Sequence, residues 1–154
     1  MKNLTWILLI FLSLLSCKTV KTDYTKLELN SIQLYDFNDE TISIENLTKQ
    51  WIKRIRVDEE INAKIESLEI INIVDKKTNK KTLVLLGTTN RKSVKTATKL
   101  TEFKNGLKLS DITVTCENCY SDLNIQLYNK NWSCMNDENG NGNPCTKIET
   151  LRTE

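Results

Sequence analysis

Five cysteines and no histidine define the chemistry open to this 154-residue chain. Without imidazole there is no His-based catalytic triad, no zinc site built on histidine and no ordinary general base near neutral pH. Four of the cysteines, Cys116, Cys119, Cys134 and Cys145, fall within the last thirty-nine residues in the spacing C-x2-C-x14-C-x10-C. Such a set allows three disulfide pairings. A Cys116–Cys119 bond would close a very small and strained ring, which favours crossing pairs to Cys134 and Cys145 without choosing between them. Two thiol chemistries compete with structural disulfides. Cys116-Glu117-Asn118-Cys119 has the spacing of half a zinc site, but Cys134 and Cys145 stand too far apart to supply the other half. A redox pair at Cys116 and Cys119 is the other; it would need a helix after the motif, whereas Leu123, Ile125 and Leu127 alternate as a strand does.

The fifth cysteine has a different setting. Met1-Lys2-Asn3 precedes an apolar run from Leu4 to Leu15, interrupted only by Thr5 and Ser13, and Ser16-Cys17 closes it. A basic start, a short apolar stretch and a small residue before a cut describe an export signal; a membrane-spanning helix needs about 20 apolar residues. Leu14-Leu15-Ser16-Cys17 resembles the lipobox of bacterial lipoprotein precursors. That resemblance covers only the first eighteen or so residues. It implies cleavage after Ser16, a diacylglyceryl group on the Cys17 sulfur and an acyl group on its new amino terminus. At roughly 0.8 kcal/mol per buried methylene, several chains anchor far more firmly than one. Lys18, in place of the aspartate that retains enteric-type lipoproteins in the inner membrane, implies the outer membrane. The oxidising envelope in turn favours disulfides among the other four cysteines.

Asp137-Glu138-Asn139-Gly140-Asn141-Gly142 resembles the opening of a calcium loop, in which alternate side-chain oxygens converge on a hard cation. Asp137, Asn139 and Asn141 are the candidate ligands of a weak calcium site. The closing bidentate glutamate would fall at Ile148, however, and Asn-Gly tracts are more often plain turns. No other cofactor is expected.

Net charge is +2, yet the charges are unevenly placed. Lys76 to Lys108 carries ten basic residues against Glu102 alone, and Glu117 to Glu154 carries six acids against three bases. Lys76, Lys77, Lys80, Lys81, Arg91 and Lys92 are the candidate basic surface, for an anionic envelope component or an acidic protein partner. Lysines that guard strand edges against aggregation account for many such patterns. Nucleic acid is not expected, because export removes the chain from it and Phe103 is the only aromatic in the basic stretch.

These residues need elements to hold them. Ser31 to Phe37 alternates as a strand, the turn Asn38-Asp39-Glu40 follows, and Ile42 and Ile44 suit a short return strand. Leu47, Trp51, Ile52 and Ile55 lie on one helical face. Asp58-Glu59-Glu60 suits the start of a second helix, continued by Ile61, Ile65 and Leu68. The β-branched run from Leu68 to Val74 and Thr82 to Gly87 form a hairpin. Ser93 to Phe103 is a strand, Asn105-Gly106 a two-residue turn, and Ile112 with Val114 a further strand. Trp51 is expected in the helix core and Trp132 over the disulfides. The expected fold is α+β: a sheet-dominated single small domain with antiparallel hairpins and a C-terminal disulfide-stabilised β module. Its segments are 1–16, a signal peptide; 17–29, a lipidated cysteine and tether; and 30–154, one domain with an α+β sheet part at 30–113 and a Cys-rich module at 114–154.

No nucleophile–base pair, phosphate loop or dinucleotide fingerprint occurs in the sequence, and no catalytic residue is assigned. Asp58, Glu59 and Glu60 could imitate a carboxylate pair, but adjacent acids more often serve a helix dipole. The expected protein is an exported, envelope-anchored lipoprotein with a non-catalytic binding or structural domain. The alternatives are a thiol–disulfide redox protein and an inhibitor or immunity-type lipoprotein.

Overall fold

β-Branched runs broken by lysine-rich and asparagine-rich turns build most of the molecule as sheet. In the computed structural model, which describes residues 22–118, 124–135 and 145–152, β1 is Gln33–Tyr35 and β2 Thr41–Ile42. α1 is Ile44–Lys53, β3 Ile65–Val74, β4 Lys81–Thr89, β5 Lys95–Phe103 and β6 Gly106–Glu117. β7 is Asn124–Tyr128, β8 Asn131–Met135 and β9 Thr146–Leu151. The main sheet runs β2-β1-β6-β5-β4-β3, with β9 also on β6; β7 and β8 form a separate hairpin. The expected antiparallel hairpins β3–β4 and β5–β6 are present. The sheet is nevertheless mixed, because β1 pairs parallel to the first half of β6.

β6 ties the fold together. Its first half pairs with β1 and its second half, Ile112–Glu117, with β9. The Cys-rich segment therefore shares a strand with the preceding sheet across position 113. Between the halves the register shifts relative to β5: Thr98 faces Thr113, whereas Leu100 faces Leu109. Two extra residues leave the inward and outward alternation unchanged. Thr98 Oγ1 donates to Ile112 O at 2.8 Å, occupying a carbonyl that the irregularity frees.

Each sheet face has its own cover. Leu34, Ile70, Leu85, Leu100, Leu107 and Leu109 pack against Leu47 and Trp51 of α1. Ile73, Val84, Leu86, Ala97, Val114 and Cys116 pack against Ile125, Leu127, Trp132 and Cys134 of the β7–β8 hairpin. Neighbouring residues in β4, such as Val84 and Leu85, thus serve opposite cores, as a period of two demands. The Cys116–Cys134 disulfide staples the hairpin to β6 across a separation of 18 residues. In the chain-entropy model a loop of that length contributes about 3 kcal/mol. Trp132 lies in the same cluster as both sulfurs, as expected.

α1 begins at Ile44, so the return strand β2 ends at Ile42, short of the Ile44 expected in it. Ser43 Oγ accepts from the Asn46 backbone N–H at 3.2 Å, Glu45 occupies the first turn, and Lys53 the last. Leu47, Trp51 and Ile55 are fully buried. Gly87 makes room for Trp51, since a Cβ there would lie 3.1 Å from the indole ring and 3.0 Å from Thr96 Cγ2.

Three expectations differ. No second helix follows Asp58: Arg54–Asp58 forms one π turn, and Glu60 ends it in the left-handed region at φ 57°. Ile65 and Leu68 belong to β3, where an irregularity between Ile65 and Ser67 lets both pack against the α1-side core. The β5–β6 turn is Lys104-Asn105, one residue earlier than expected, and Gly106 pairs with Phe103 inside the ladder. Gly106 is required there because a Cβ would collide with the Gln33 carbonyl of the parallel strand. Finally, the later part of the expected tether is on the domain. Tyr24–Lys26 and Leu29–Ser31 are single 3-10 turns, and Tyr24 and Leu29 pack, partly buried, against the α1-side core.

Candidate functional site

The π turn aims an arginine into the protein rather than into water. Arg54 extends the α1 apolar face, three residues after Trp51 and seven after Leu47, and its side chain is only 6% exposed. Its Nε lies 3.0 Å from Glu59 Oε1, and the Glu59 side chain is 1% exposed. The widened turn, in which Glu59 N–H reaches back to Arg54 O at 3.0 Å, brings these two side chains to the same side. Arg54 Nη2 donates to Thr96 Oγ1 at 2.6 Å, and Thr96 Oγ1 donates in turn to Val114 O at 2.9 Å. Glu59 Oε1 also accepts from Thr150 Oγ1 of β9 at 2.8 Å. The guanidinium carbon stands 5.3 Å from the centre of the Trp51 ring. One ion pair thus joins α1, β5 and β9.

Arg54 of this pair lines a cleft of about 440 Å³ between the end of α1, the β1–β2 turn and β9. Asp36, Gln50, Lys53, Asp58, Thr150 and Arg152 line it together with Arg54. Burial pushes the Arg54 guanidinium down to about 10, against the pull of Glu59, and nearby Arg152 adds repulsion. It remains charged at neutral pH. Arg152 is itself held below the usual arginine value, first by loss of water and against the attraction of Asp36. Its Nη1 donates over a long 3.4 Å to Gln50 Oε1, and it forms no salt bridge among the described residues. Among the described residues, Arg54 Nη1 and Glu59 Oε2 have no hydrogen-bond partner, though both are buried. The cleft therefore contains a desolvated cation, Arg152, whose charge is only partly answered by the protein.

The sequence-derived candidates are dispersed. Cys116 is bonded to Cys134, a crossing pair, and is fully buried, so it is not paired with its near neighbour Cys119. Cys145 is also a disulfide cysteine. Cys17, Cys119 and the calcium candidates Asp137, Asn139 and Asn141 lie outside the described residues. The six basic candidates form two groups rather than one surface. Lys76, Lys77 and Lys80 occupy the β3–β4 turn, with Lys81 at the start of β4, whereas Arg91 and Lys92 occupy the β4–β5 connection at the opposite end. A nine-residue strand separates them by about 30 Å. Of the acids read as a helix start, Glu59 is the buried partner of Arg54 and Asp58 lines the cleft.

Sequence reasoning missed Arg54, Thr96, Thr150 and Arg152. A charged residue on the apolar stripe of a helix, such as Arg54, signals a buried partner. Arg152 lies almost one hundred positions from the helix it meets, and nothing local announces it. No family model matches the chain, and no curated protein or solved structure matches it significantly.

Proposed function

We propose that this is an envelope-anchored lipoprotein, held by lipid on Cys17, whose small domain binds rather than catalyses and takes an anionic group into the Arg152 cleft. The observation that carries the cleft assignment is the half-buried Arg152, set beside a second guanidinium and without a salt bridge of its own among the described residues. Two neighbouring cations taken out of water repel, and a carboxylate or phosphate entering between Arg152 and Lys53 relieves that cost. Arg54 is locked by Glu59 and Thr96, so it acts as a fixed charge in the wall while Arg152 makes the direct contact. The anchor rests on the Leu14-Leu15-Ser16-Cys17 sequence.

Titration of the purified protein with inorganic phosphate and with succinate, followed by thermal unfolding, tests the cleft. Stabilisation at millimolar ligand that disappears in Arg152→Gln supports the reading. Equal curves for the two proteins refute it. Fatty-acid labelling that persists in Cys17→Ser would refute the anchor.

A further inference from the structure

The described chain begins at the lysine-rich end of the sheet. Thr22 and Tyr24 share a depression with Asn72, Lys81, Leu83 and Glu102, beside the β3–β4 turn. The β5–β6 turn, which carries Lys104, is at the same end of the sheet. The β7–β8 turn joins them through Asp75, whose carboxylate accepts from the backbone N–H groups of Lys77 and Thr78, both at 2.9 Å, of Asn129 at 3.2 Å, and of Lys130. Three turns thus gather Lys77, Lys80, Lys81, Lys104 and Lys130, all exposed and none in a salt bridge among the described residues.

Among the described residues, Asp23 pairs with Lys26 and Asp39 with Lys108, and Asp75 is turned inward, while Glu102 remains beside Lys81. Lys104 and Lys130 occupy left-handed turn positions, φ 50° and 68°, that glycine or asparagine would fill with less strain. Val74 and Tyr128, 43% and 56% exposed, stand among these lysines. Apolar and aromatic side chains interleaved with ammonium groups suit the boundary between headgroups and water.

We propose that this end is a docking surface for the anionic phospholipid headgroups of the membrane that carries the anchor. The inference rests on the lipid-anchor reading. From Cys17 to Thr22 the chain can span about 17 Å at full extension, so the lysine end is the one the anchor brings to the bilayer. Arg91 and Lys92 are held about 30 Å farther away, beyond the reach of a surface potential that decays over about 8 Å at physiological salt.

The test uses the full lipidated protein in vesicles of phosphatidylcholine alone or mixed with phosphatidylglycerol. Acetylation by a water-soluble reagent is read lysine by lysine. Several-fold protection of Lys77, Lys80, Lys81, Lys104 and Lys130 by phosphatidylglycerol, reversed by high salt and absent at Lys92, is expected. Equal labelling of both ends in protein that carries lipid on Cys17 overturns the docking surface and leaves the anchor standing. If Cys17 carries no lipid the anchor reading falls, and co-sedimentation with the same vesicles decides the surface. Binding should then fall on the order of 100-fold in K77E/K80E/K81E and little in R91E/K92E. Equal loss in the two variants, or no binding by the parent protein, overturns it.

Discussion

Replacing Glu59 with leucine should cost far more than the exposed acids around it suggest. The change removes the carboxylate 3.0 Å from Arg54 Nε and the acceptor of the Thr150 hydroxyl. Arg54 is left as a charge with a 6% exposed side chain and, among the described residues, Thr96 Oγ1 as its remaining hydrogen-bond acceptor. Breaking a buried ion pair on one side costs about 3–5 kcal/mol, because the remaining charge has neither water nor partner. With a urea dependence of about 2 kcal/mol/M, the unfolding midpoint should fall by roughly 1.5–2.5 M. Replacing both partners, Arg54→Met with Glu59→Leu, removes both charges and retains most of the apolar stem that packs on Trp51. That double variant should recover most of the loss, since apolar substitutes for a buried pair are often neutral or better. The double-mutant cycle isolates the coupling. Less than 1 kcal/mol lost by Glu59→Leu, or additive losses in the double variant, would refute the view that Arg54 depends on Glu59.

Two further outcomes follow from local geometry. The backbone N–H groups around Asp75, led by that of Lys130, hold its carboxyl well below the usual carboxylate range. A folded-state value below the unfolded value of about 3.9 means stability fully present above about pH 5 and lost progressively as pH falls through the unfolded value toward the folded one. Acid unfolding monitored by circular dichroism should therefore begin at higher pH in Asp75→Ala, with the variant already less stable at pH 7; coincident acid profiles would show that the carboxylate does not tie the two turns together. At Gly106, alanine should push β1 away from β6, because its Cβ meets the Gln33 carbonyl. A loss of about 1–3 kcal/mol is expected, with faster amide exchange confined first to Gln33–Tyr35; unchanged exchange there would count against the close approach.

Patterns that depend on neighbours in the chain were legible before the fold. The strand runs, the buried Leu47 and Trp51 of the helical face, and the placement of Trp132 with the disulfide follow from spacing and side-chain type; Ile55 is buried in the π turn that follows, and Ile52, expected on the same face, is only partly buried. Local spacing misled at Asp58-Glu59-Glu60. Three acids satisfy the rule for a helix start, yet Glu59 turns inward to a guanidinium that the rule does not consider. The same limit applies to the lysines, which one stretch of sequence groups together and a nine-residue strand divides between two ends.

By itself the amino-acid sequence determined the sheet-rich character, the helix around Leu47 and Trp51, the covalent means for stapling the C-terminal segment and the expectation of an anchor at Cys17. Each depends on composition, short-range period or a local motif. Only the tertiary structure decided that Cys116 bonds Cys134, that β1 runs parallel to β6, and that Arg152 meets Arg54 across almost one hundred residues. Those choices are made by packing two cores against opposite faces of one sheet, where the energy of each contact depends on residues far away in the chain.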